Sequence, residues 1–183
     1  MRIYQRLQLW ANQLLSFFIL LLLKRKNSIQ GWNHYFASPL NSFRLSSGKF
    51  SIGNHLHLED QVKLYACQGE IEIGQNVFIN RQCTIVSMKK ISIGSNSIFG
   101  NNVSLFDHDH NISTTKIPYK EQGYTYSEIK IGQNVWLGAN SVILKGVHIG
   151  DNSIVAAGSV VTKTIAANEL WAGVPAKKIR TLG

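Results

Sequence analysis

The sequence is poor in charge, in proline and in cysteine. Only 16% of its 183 residues are charged, and they are combined with 15 glycines and 3 prolines. This composition favours many short strands with tight corners over a helical bundle. Two cysteines cannot form a disulfide framework, and their placement does not suggest a zinc site, so we expect a reducing compartment. Hydrophobic residues make up 44% of the chain, enough for one domain with a sizeable core.

Acidic residues are scarce relative to basic ones, at 10 against 19, which gives a net charge of +9. Such an excess predicts a partner that carries negative charge: a nucleic acid, an anionic membrane surface or a phosphorylated cofactor. Composition alone does not choose among the three.

Residues 1–30 contain the most apolar segment, WANQLLSFFILLLL at residues 10–23, with basic residues on both sides. Its apolar part is shorter than the roughly 20 residues that span a bilayer as a helix. The string KRKN follows where a secretory cleavage site would need small residues, so export is not expected. Two interpretations remain open: a helix that lies in a membrane interface, and a helix that packs on its own domain or on a neighbouring subunit.

Aliphatic residues recur with a period of six along most of the chain. One series runs through Ile131, Leu137, Ile143, Ile149, Val155 and Val161. An earlier series runs through Ile73, Ile79, Ile85 and Ile91, and restarts two residues later as Ile93, Phe99 and Leu105. The period fits neither a helix nor an alternating strand, and it is typical of short strands that close triangular coils and stack. Gly-x-Asn triplets supply corner residues that tolerate positive φ.

We therefore predict an all-β protein, a parallel β-helix over residues 50–166. Residues 1–30 form the apolar helix, residues 31–49 a connector and residues 167–183 a C-terminal cap. The general rule for parallel crossovers favours a right-handed connection, so the pattern itself does not give the hand.

The period is lost at about residues 106–128, which form one long inserted loop. A long insertion in a regular solenoid is a functional candidate. It begins Phe106-Asp107-His108-Asp109-His110, and histidine is the side chain best suited to move a proton near neutral pH.

Four strings of the chain resemble segments of the hexapeptide-repeat acyltransferases, above all the O-acetyltransferases that act on sugars and polysaccharides. The strings are FINRQCTI at residues 78–85, NVWLGANSVILKGVHIG at 134–150, AAGSVVTK at 156–163 and AGVPAKKIR at 172–180. The resemblance implies a left-handed parallel β-helix, a homotrimer with sites between coils, acetyl-CoA as the co-substrate and no metal.

The resemblance also implies roles for single residues. The family spacing places the catalytic base at His110, with His108 as the alternative. Asn80 is expected to contact the acceptor, and we add Asp107 as an acceptor contact. The alternative for Asp107 and Asp109 is a solvated corner, and either could orient an imidazole. The residues expected to bind coenzyme A are Trp136, Ala157, Thr162, Lys163, Lys178 and Arg180.

We thus expect direct O-acetyl transfer from acetyl-CoA to a sugar hydroxyl of a surface-polysaccharide or lipid-linked glycan precursor. The protein would work in the cytoplasm, at the inner face of the membrane if residues 1–30 make a peripheral contact, and it would bind no nucleic acid. One alternative is N-acetyl transfer to an amino sugar. Another is a zinc lyase of the carbonic anhydrase type, for which His108 and His110 lack a third histidine at suitable spacing.

Overall fold

A computed structural model describes residues 11, 14–19, 21, 28–31, 33–38, 42–45 and 47–183. Within these residues, three parallel sheets wind around one core in about six coils. The first sheet contains β1 (Ser28–Ile29), β4 (Lys49–Ile52), β7 (Glu70–Ile73), β10 (Lys90–Ile93), β15 (Ile129–Ile131) and β18 (His148–Ile149). The third contains β3 (Phe43–Leu45), β6 (Lys63–Ala66), β9 (Thr84–Ser87), β12 (Ser104–Phe106), β17 (Val142–Ile143) and β20 (Val160–Val161).

The second sheet lies between these two in chain order and also holds the C-terminal strands. It contains β2 (Tyr35–Phe36), β5 (His57–Leu58), β8 (Phe78–Ile79), β11 (Ile98–Phe99), β16 (Trp136–Leu137), β19 (Ile154–Val155), β21 (Glu169–Gly173) and β22 (Ala176–Thr181). β21 continues the parallel order beside β19, and β22 folds back on β21 as an antiparallel hairpin.

The aliphatic residues of the six-residue series are all buried and stack from coil to coil. Ile73, Ile93, Ile131 and Ile149 are paired in register down the first sheet. The restart of the series by two residues has a simple cause, because β10 is long enough to turn both Ile91 and Ile93 into the core. Each coil thus buries its aliphatic residues against its neighbours, which confirms the predicted β-helix.

Asparagine and glycine have different roles at the corners. The asparagines of four triplets take positive φ: Asn76 56°, Asn96 63°, Asn134 53° and Asn152 58°. The glycine of the triplet is needed for a different reason, since a Cβ on Gly94 would lie 2.4 Å from the carbonyl carbon of Gly132 in the next coil. The coils therefore approach too closely at this corner for any side chain.

The β-helix begins earlier than the sequence predicts. The expected connector, residues 31–49, forms β2 and β3, and β1 lies within the segment predicted as helix. Aromatic residues take the inward positions here: Phe43 meets Phe36 and Phe50 edge to face, with ring centroids 5.1 and 5.5 Å apart. Because these rings replace the aliphatic series, the first coil has no six-residue signature.

Residues 14–19 are helical, as predicted for part of residues 1–30, and the rest of the predicted helix lies largely outside the described residues. Ser16 is buried and Ile19 packs against the core of the β-helix. Over the part of the chain that the structure describes, no helix is both long and apolar enough to cross a membrane.

The coil is interrupted once among the described residues, between β12 and β15. The inserted segment forms an antiparallel hairpin of β13 (His108–His110) and β14 (Tyr124–Tyr126), with a 3₁₀ turn at Tyr119–Glu121. It leaves the coil at the corner between the third and first sheets.

Candidate active site

The insertion presents both of its histidines on one antiparallel ladder. β13 pairs with β14 so that His108 lies opposite Tyr126 and His110 lies opposite Tyr124. The Tyr124 ring contacts both imidazoles, with centroids 4.4 Å from His110 and 5.7 Å from His108. Because Tyr124 is held in the ladder, its ring restricts the directions of both imidazoles.

The side chain of Gln122 closes the long loop between the two strands of the hairpin. Its carbonyl oxygen accepts hydrogen bonds from the backbone N–H groups of Ser113 and Thr114, at 2.9 and 3.2 Å. Its amide group donates to the backbone carbonyls of Thr114 and Ile117, at 2.7 Å each. One side chain thus satisfies four backbone groups and gives an irregular loop a defined shape.

Asp107 is an internal anchor for the insertion. Its side chain is fully buried, and its oxygens accept hydrogen bonds of 2.8 Å each from the Ser87 hydroxyl and the backbone N–H groups of Met88 and Lys89. A further contact of 3.2 Å joins Oδ1 to Nδ1 of His108. The burial contradicts two sequence interpretations of Asp107, as an acceptor contact and as a solvated corner, because both carboxylate oxygens are hydrogen-bonded inside the protein. The contact with His108 fits the third interpretation, that Asp107 orients an imidazole.

The two histidines stand in different environments. The His108 side chain is only 17% exposed and is oriented by the Asp107 carboxylate. His110 is exposed, and its ring nitrogens have no hydrogen-bond partner in the described part of the chain. His108 is therefore held in place by the protein, whereas His110 offers its nitrogens to a molecule outside it.

His110 opens onto a groove of about 610 Å³ at the edge of the insertion. The groove is lined by Asp109, His110, Asn111, Ile112, Ser113, Thr125 and Lys145. Lys145 comes from the coil below, and its Nζ lies 2.6 Å from Oδ2 of Asp109. The Asp109 side chain is 52% exposed, so it lies at a solvated corner as expected but is paired with a cation.

Two of the residues expected to bind coenzyme A lie on this same edge. β12, β17 and β20 are stacked in register, so Lys163, which follows β20, lies one coil beyond Lys145. Thr162 precedes Lys163, and both are exposed. Cationic side chains thus continue along the edge from the groove of His110 toward the C-terminal end.

The other predicted residues lie on a different edge. Asn80 follows β8 and Ala157 comes just after β19, at the corner between the second and third sheets, and Trp136 faces outward from β16 with 53% exposure. Within the described chain, the structure does not bring these three residues to His110. Oδ1 of Asn80 accepts a hydrogen bond of 2.8 Å from the N–H of Arg81, so this side chain also supports its own turn.

The C-terminal hairpin carries Lys178 and Arg180. Lys178 Nζ lies 2.6 Å from Oε1 of Glu169, whose other oxygen accepts a hydrogen bond of 2.7 Å from the Trp171 indole. The hydrogen bond from Lys178, followed by that from Trp171, lowers the pKa of Glu169 below its ordinary value. Lys178 is therefore engaged inside the hairpin, whereas the Arg180 guanidinium is exposed.

Sequence reasoning missed four residues that shape this region: Tyr124, Gln122, Lys145 and Glu169. Tyr124 and Gln122 lie in the non-periodic segment, where spacing does not indicate which residues meet. Lys145 carried a usable signal, because it stands one full coil before Lys163 in the repeat and therefore on the same edge.

Comparison with known proteins agrees with the fold and its repeats. Residues 128–163 match the family model described as the hexapeptide repeat of succinyl-transferase. The chain is 38% identical over 133 residues to a galactoside O-acetyltransferase of Escherichia coli, an alignment that covers 72% of this chain and 64% of that protein. The chain belongs to the hexapeptide-repeat acyltransferase superfamily. Its fold is the left-handed parallel β-helix of that superfamily, as predicted.

Two further members of the superfamily resemble the chain. A galactoside O-acetyltransferase of Lactococcus lactis is 34% identical over 141 residues, covering 75% of this chain and 66% of that protein. A hexapeptide-repeat acetyltransferase of Vibrio cholerae, solved in complex with acetyl coenzyme A, superposes with a TM-score of 0.58 at 32% identity, covering 62% of this chain and 61% of that one. The chain spans just under two thirds of the length of the two galactoside O-acetyltransferases, 64% and 66%.

Proposed function

We propose that the protein is an O-acetyltransferase that moves an acetyl group from acetyl-CoA to a sugar hydroxyl, in a surface-polysaccharide or lipid-linked glycan precursor. The observation that carries the proposal is the position of His110. It lies at the mouth of an open groove, is packed against Tyr124 and has no hydrogen-bond partner among the described residues. Because the chain belongs to an acyltransferase superfamily, acyl transfer is the reaction that we assign to this imidazole.

His110 acts as the general base. A sugar hydroxyl is a poor nucleophile near neutral pH, so a base within hydrogen-bond reach removes its proton as the oxygen attacks the thioester carbonyl. The new C–O bond forms, the C–S bond breaks, and the coenzyme A thiolate leaves and takes up the proton held by His110. His108, fixed by Asp107, packs beside Tyr124 and helps to keep the hairpin in position.

The complete site requires a second copy of the chain. His110 and Lys163 lie on one edge of the β-helix, and Asn80, Trp136 and Ala157 lie on or beside another. A homotrimer with adjacent β-helices brings the insertion of one subunit against the second sheet of the next. The outward column on that sheet supports this packing, because it is apolar and aromatic through Tyr35, His57, Phe78, Ile98 and Trp136.

The donor lies along the coils on the C-terminal side of His110. Trp136 offers an exposed ring to the pantetheine arm, and Ala157 offers backbone polar groups at its corner. Lys163, beside Thr162, and Arg180 supply exposed cations, which suit phosphate groups in charge and geometry. Lys178 contributes to this surface through the hairpin that it closes with Glu169.

Two measurements test the proposal. Calorimetric titration of coenzyme A into the full chain should give saturable binding that weakens in a Lys163→Ala, Arg180→Ala double variant. Thiol release from acetyl-CoA with a panel of free and lipid-linked sugars should then identify the acceptor, with amino sugars included because N-acetyl transfer is the nearest alternative. We expect His110→Ala to abolish turnover while coenzyme A binding is retained, and His108→Ala to keep measurable turnover. Retained turnover in His110→Ala with loss in His108→Ala would assign the base to His108.

The zinc lyase alternative gains no specific support. Among the residues that the structure describes, no group of three or more histidine, cysteine, aspartate or glutamate side chains is arranged to hold a metal ion. If the folded protein binds no coenzyme A, measurement of bound zinc tests the lyase alternative.

A further inference from the structure

The outer face of the third sheet continues into the face of the insertion that carries His110. Phe106 ends β12 on the outer side, Asp107 turns inward, and the alternation of the strand returns His108 to the outer side. Ring contacts connect the series: the His108 ring lies 6.3 Å from Phe106 and 5.7 Å from Tyr124. The Tyr124 ring then lies 4.4 Å from His110. His110 therefore stands at the end of a face that begins in the N-terminal coils.

Two columns of outward side chains cover this face. One column is paired in register from coil to coil and contains Arg44, Tyr65, Val86 and Phe106. The column beside it contains Lys63, Thr84 and Ser104. The Arg44 guanidinium lies over the Tyr65 ring, 5.7 Å from its centroid. The face thus combines rings, hydroxyl groups and cations on a rigid sheet.

The N-terminal half of this face is hollow. Two adjacent grooves of about 350 and 360 Å³ share Gln61 and Lys63 in their linings. Gln82, Thr84 and Asn102 complete the first groove, and Tyr65 lines the second. The Gln82 amide donates a hydrogen bond of 3.3 Å to Oε1 of Gln61. Amide and hydroxyl groups that both donate and accept, next to an aromatic ring, suit the hydroxyl groups and the C–H faces of sugars.

Lys63 and Arg44 are cations without an acidic partner. The first acidic residue of the chain is Glu59, so all ten acidic residues belong to the part of the chain that the structure describes. The ion pairs of these acids use other basic residues. Asp60, two turn positions before Lys63, instead accepts a hydrogen bond of 2.7 Å from the Ser38 hydroxyl. Both cations are thus available to an anion from outside the protein.

We propose that the outer face of the third sheet binds the body of an acidic oligosaccharide whose reactive hydroxyl lies at His110. Tyr65 packs against a sugar ring, and Lys63 and Arg44 meet a carboxylate or phosphate group of the glycan. β6 and β12 are two coils apart, so the face extends about 10 Å along the axis at about 4.8 Å per coil. A surface of this length fits several linked sugars better than a single one. The inference rests on the proposed function for the position of the reacting hydroxyl, and it names the class of acceptor.

The two substrates then approach His110 from opposite ends. The acceptor lies on the N-terminal side, along the third sheet, and the donor that we propose lies on the C-terminal side, toward Lys163. Both can be bound at the same time, which direct transfer without a covalent intermediate requires.

The test is calorimetric titration of the full chain with glycan fragments, without acetyl-CoA. The fragments come from the surface polysaccharide of the organism that encodes the chain, after removal of its O-acetyl groups and separation by size. Fragments of several sugars should bind at least about tenfold more tightly than single sugars, because they reach the grooves as well as His110. Lys63→Ala and Tyr65→Ala should each weaken the binding of long fragments about tenfold, through the lost charge-assisted hydrogen bond and the lost ring. Tyr65→Phe keeps the ring and should bind like the parent.

Chemical treatment of the fragments identifies the anion. Reduction of their carboxylates to alcohols, and separately removal of their phosphates with a phosphatase, should leave one preparation that binds weakly. If both treated preparations bind as tightly as the untreated fragments, the assignment of an acidic glycan is wrong.

Lys49→Ala is the matched control for Lys63→Ala. Lys49 is also an exposed lysine of the N-terminal coils, but it begins β4 on the first sheet. Its replacement should leave fragment binding unchanged. Thermal unfolding of every variant separates a loss of binding from a loss of fold.

Turnover with acetyl-CoA distinguishes this inference from the proposed function. If long fragments bind through Lys63 and Tyr65 but are not acetylated, the glycan surface stands and the proposed function fails. If single sugars are acetylated as efficiently as long fragments, and Lys63→Ala and Tyr65→Ala change neither, the proposed function stands and the inference is overturned. The inference is also overturned if no fragment binds, or if Tyr65→Ala changes the size of the oligomer in sedimentation, since the face would then be a contact between subunits.

Discussion

Replacing Asp107 by asparagine should loosen the insertion without changing its shape. The carboxylate is fully buried, and both of its oxygens accept hydrogen bonds from groups of the preceding coil, including the backbone N–H groups of Met88 and Lys89. An asparagine keeps one accepting oxygen but puts an NH₂ group where the other oxygen was. Whichever way the amide turns, it faces a backbone N–H that then has no acceptor.

Two general magnitudes give the size of the effect on the free energy of unfolding. Hydrogen bonds to a charged group are worth about 1.5–3 kcal/mol, and a buried donor left unpaired costs about 1–3 kcal/mol. We expect Asp107→Asn to lower the free energy of unfolding by about 3 kcal/mol. For a chain of this length, that corresponds to a Tm about 6–12 °C lower. Differential scanning calorimetry measures the shift, and hydrogen exchange should show faster exchange at Met88 and Lys89.

Asp109→Asn is the matched control for this experiment. Asp109 is in the same loop, but its side chain is 52% exposed and has a single ion pair, with Lys145. Exposed ion pairs contribute about 0–1 kcal/mol, so its Tm should stay close to that of the parent. If the two variants melt at the same temperature, the assignment of Asp107 as the anchor of the insertion is refuted.

Three further changes test other parts of the structure. Tyr124→Ala should lower kcat about tenfold or more with little change in the KM for acetyl-CoA, because the His110 ring loses the aromatic ring against which it packs. Tyr124→Phe should retain activity, and an equal loss in both variants would argue against a role for ring packing. The hydrogen bond from Lys178 is the main reason that the pKa of Glu169 lies below its ordinary value of 4.5, so the ionised carboxylate stabilises the fold above pH 4.5 and loses that effect as the pH falls. The Tm difference between the parent and Glu169→Gln should therefore be steady near neutral pH and shrink below about pH 4.5. A difference that grows on acidification would contradict this. Phe36→Ala should cost about 3–5 kcal/mol in urea unfolding, because the ring is 1% exposed in the first coil; a cost below about 1 kcal/mol would mean that this coil does not contribute to the cooperative core.

The coils that could be predicted from the sequence are those in which one local rule repeats. Ile131 and Ile149 occupy the same inward position one coil apart, so residues at this regular spacing in the chain stack on each other in the β-helix. The first coil escaped prediction because Phe36 and Phe43 fill inward positions with rings, which breaks the aliphatic period without breaking the fold.

The candidate site was predictable in its residue types and less so in its geometry. The loss of the period pointed to both His108 and His110, the resemblance to the acyltransferases chose His110, and the structure gives His110 an open groove. The burial of Asp107 could not be read from a run of alternating acids and histidines, because its hydrogen-bond donors come from the preceding coil. The separation of His110 from Asn80 could have been read from the repeat, since the two residues follow strands of different sheets.

The regular stacking of the coils fixes distances along the axis of the β-helix. The hairpin that carries His110 leaves the β-helix between its fourth and fifth coils, and each coil adds about 4.8 Å along the axis. The distance from the first coil to the groove is therefore set by a whole number of coils. A chain with one coil more or fewer before β12 would carry the same groove about 5 Å further from, or nearer to, its N-terminal end, with the hairpin itself unchanged.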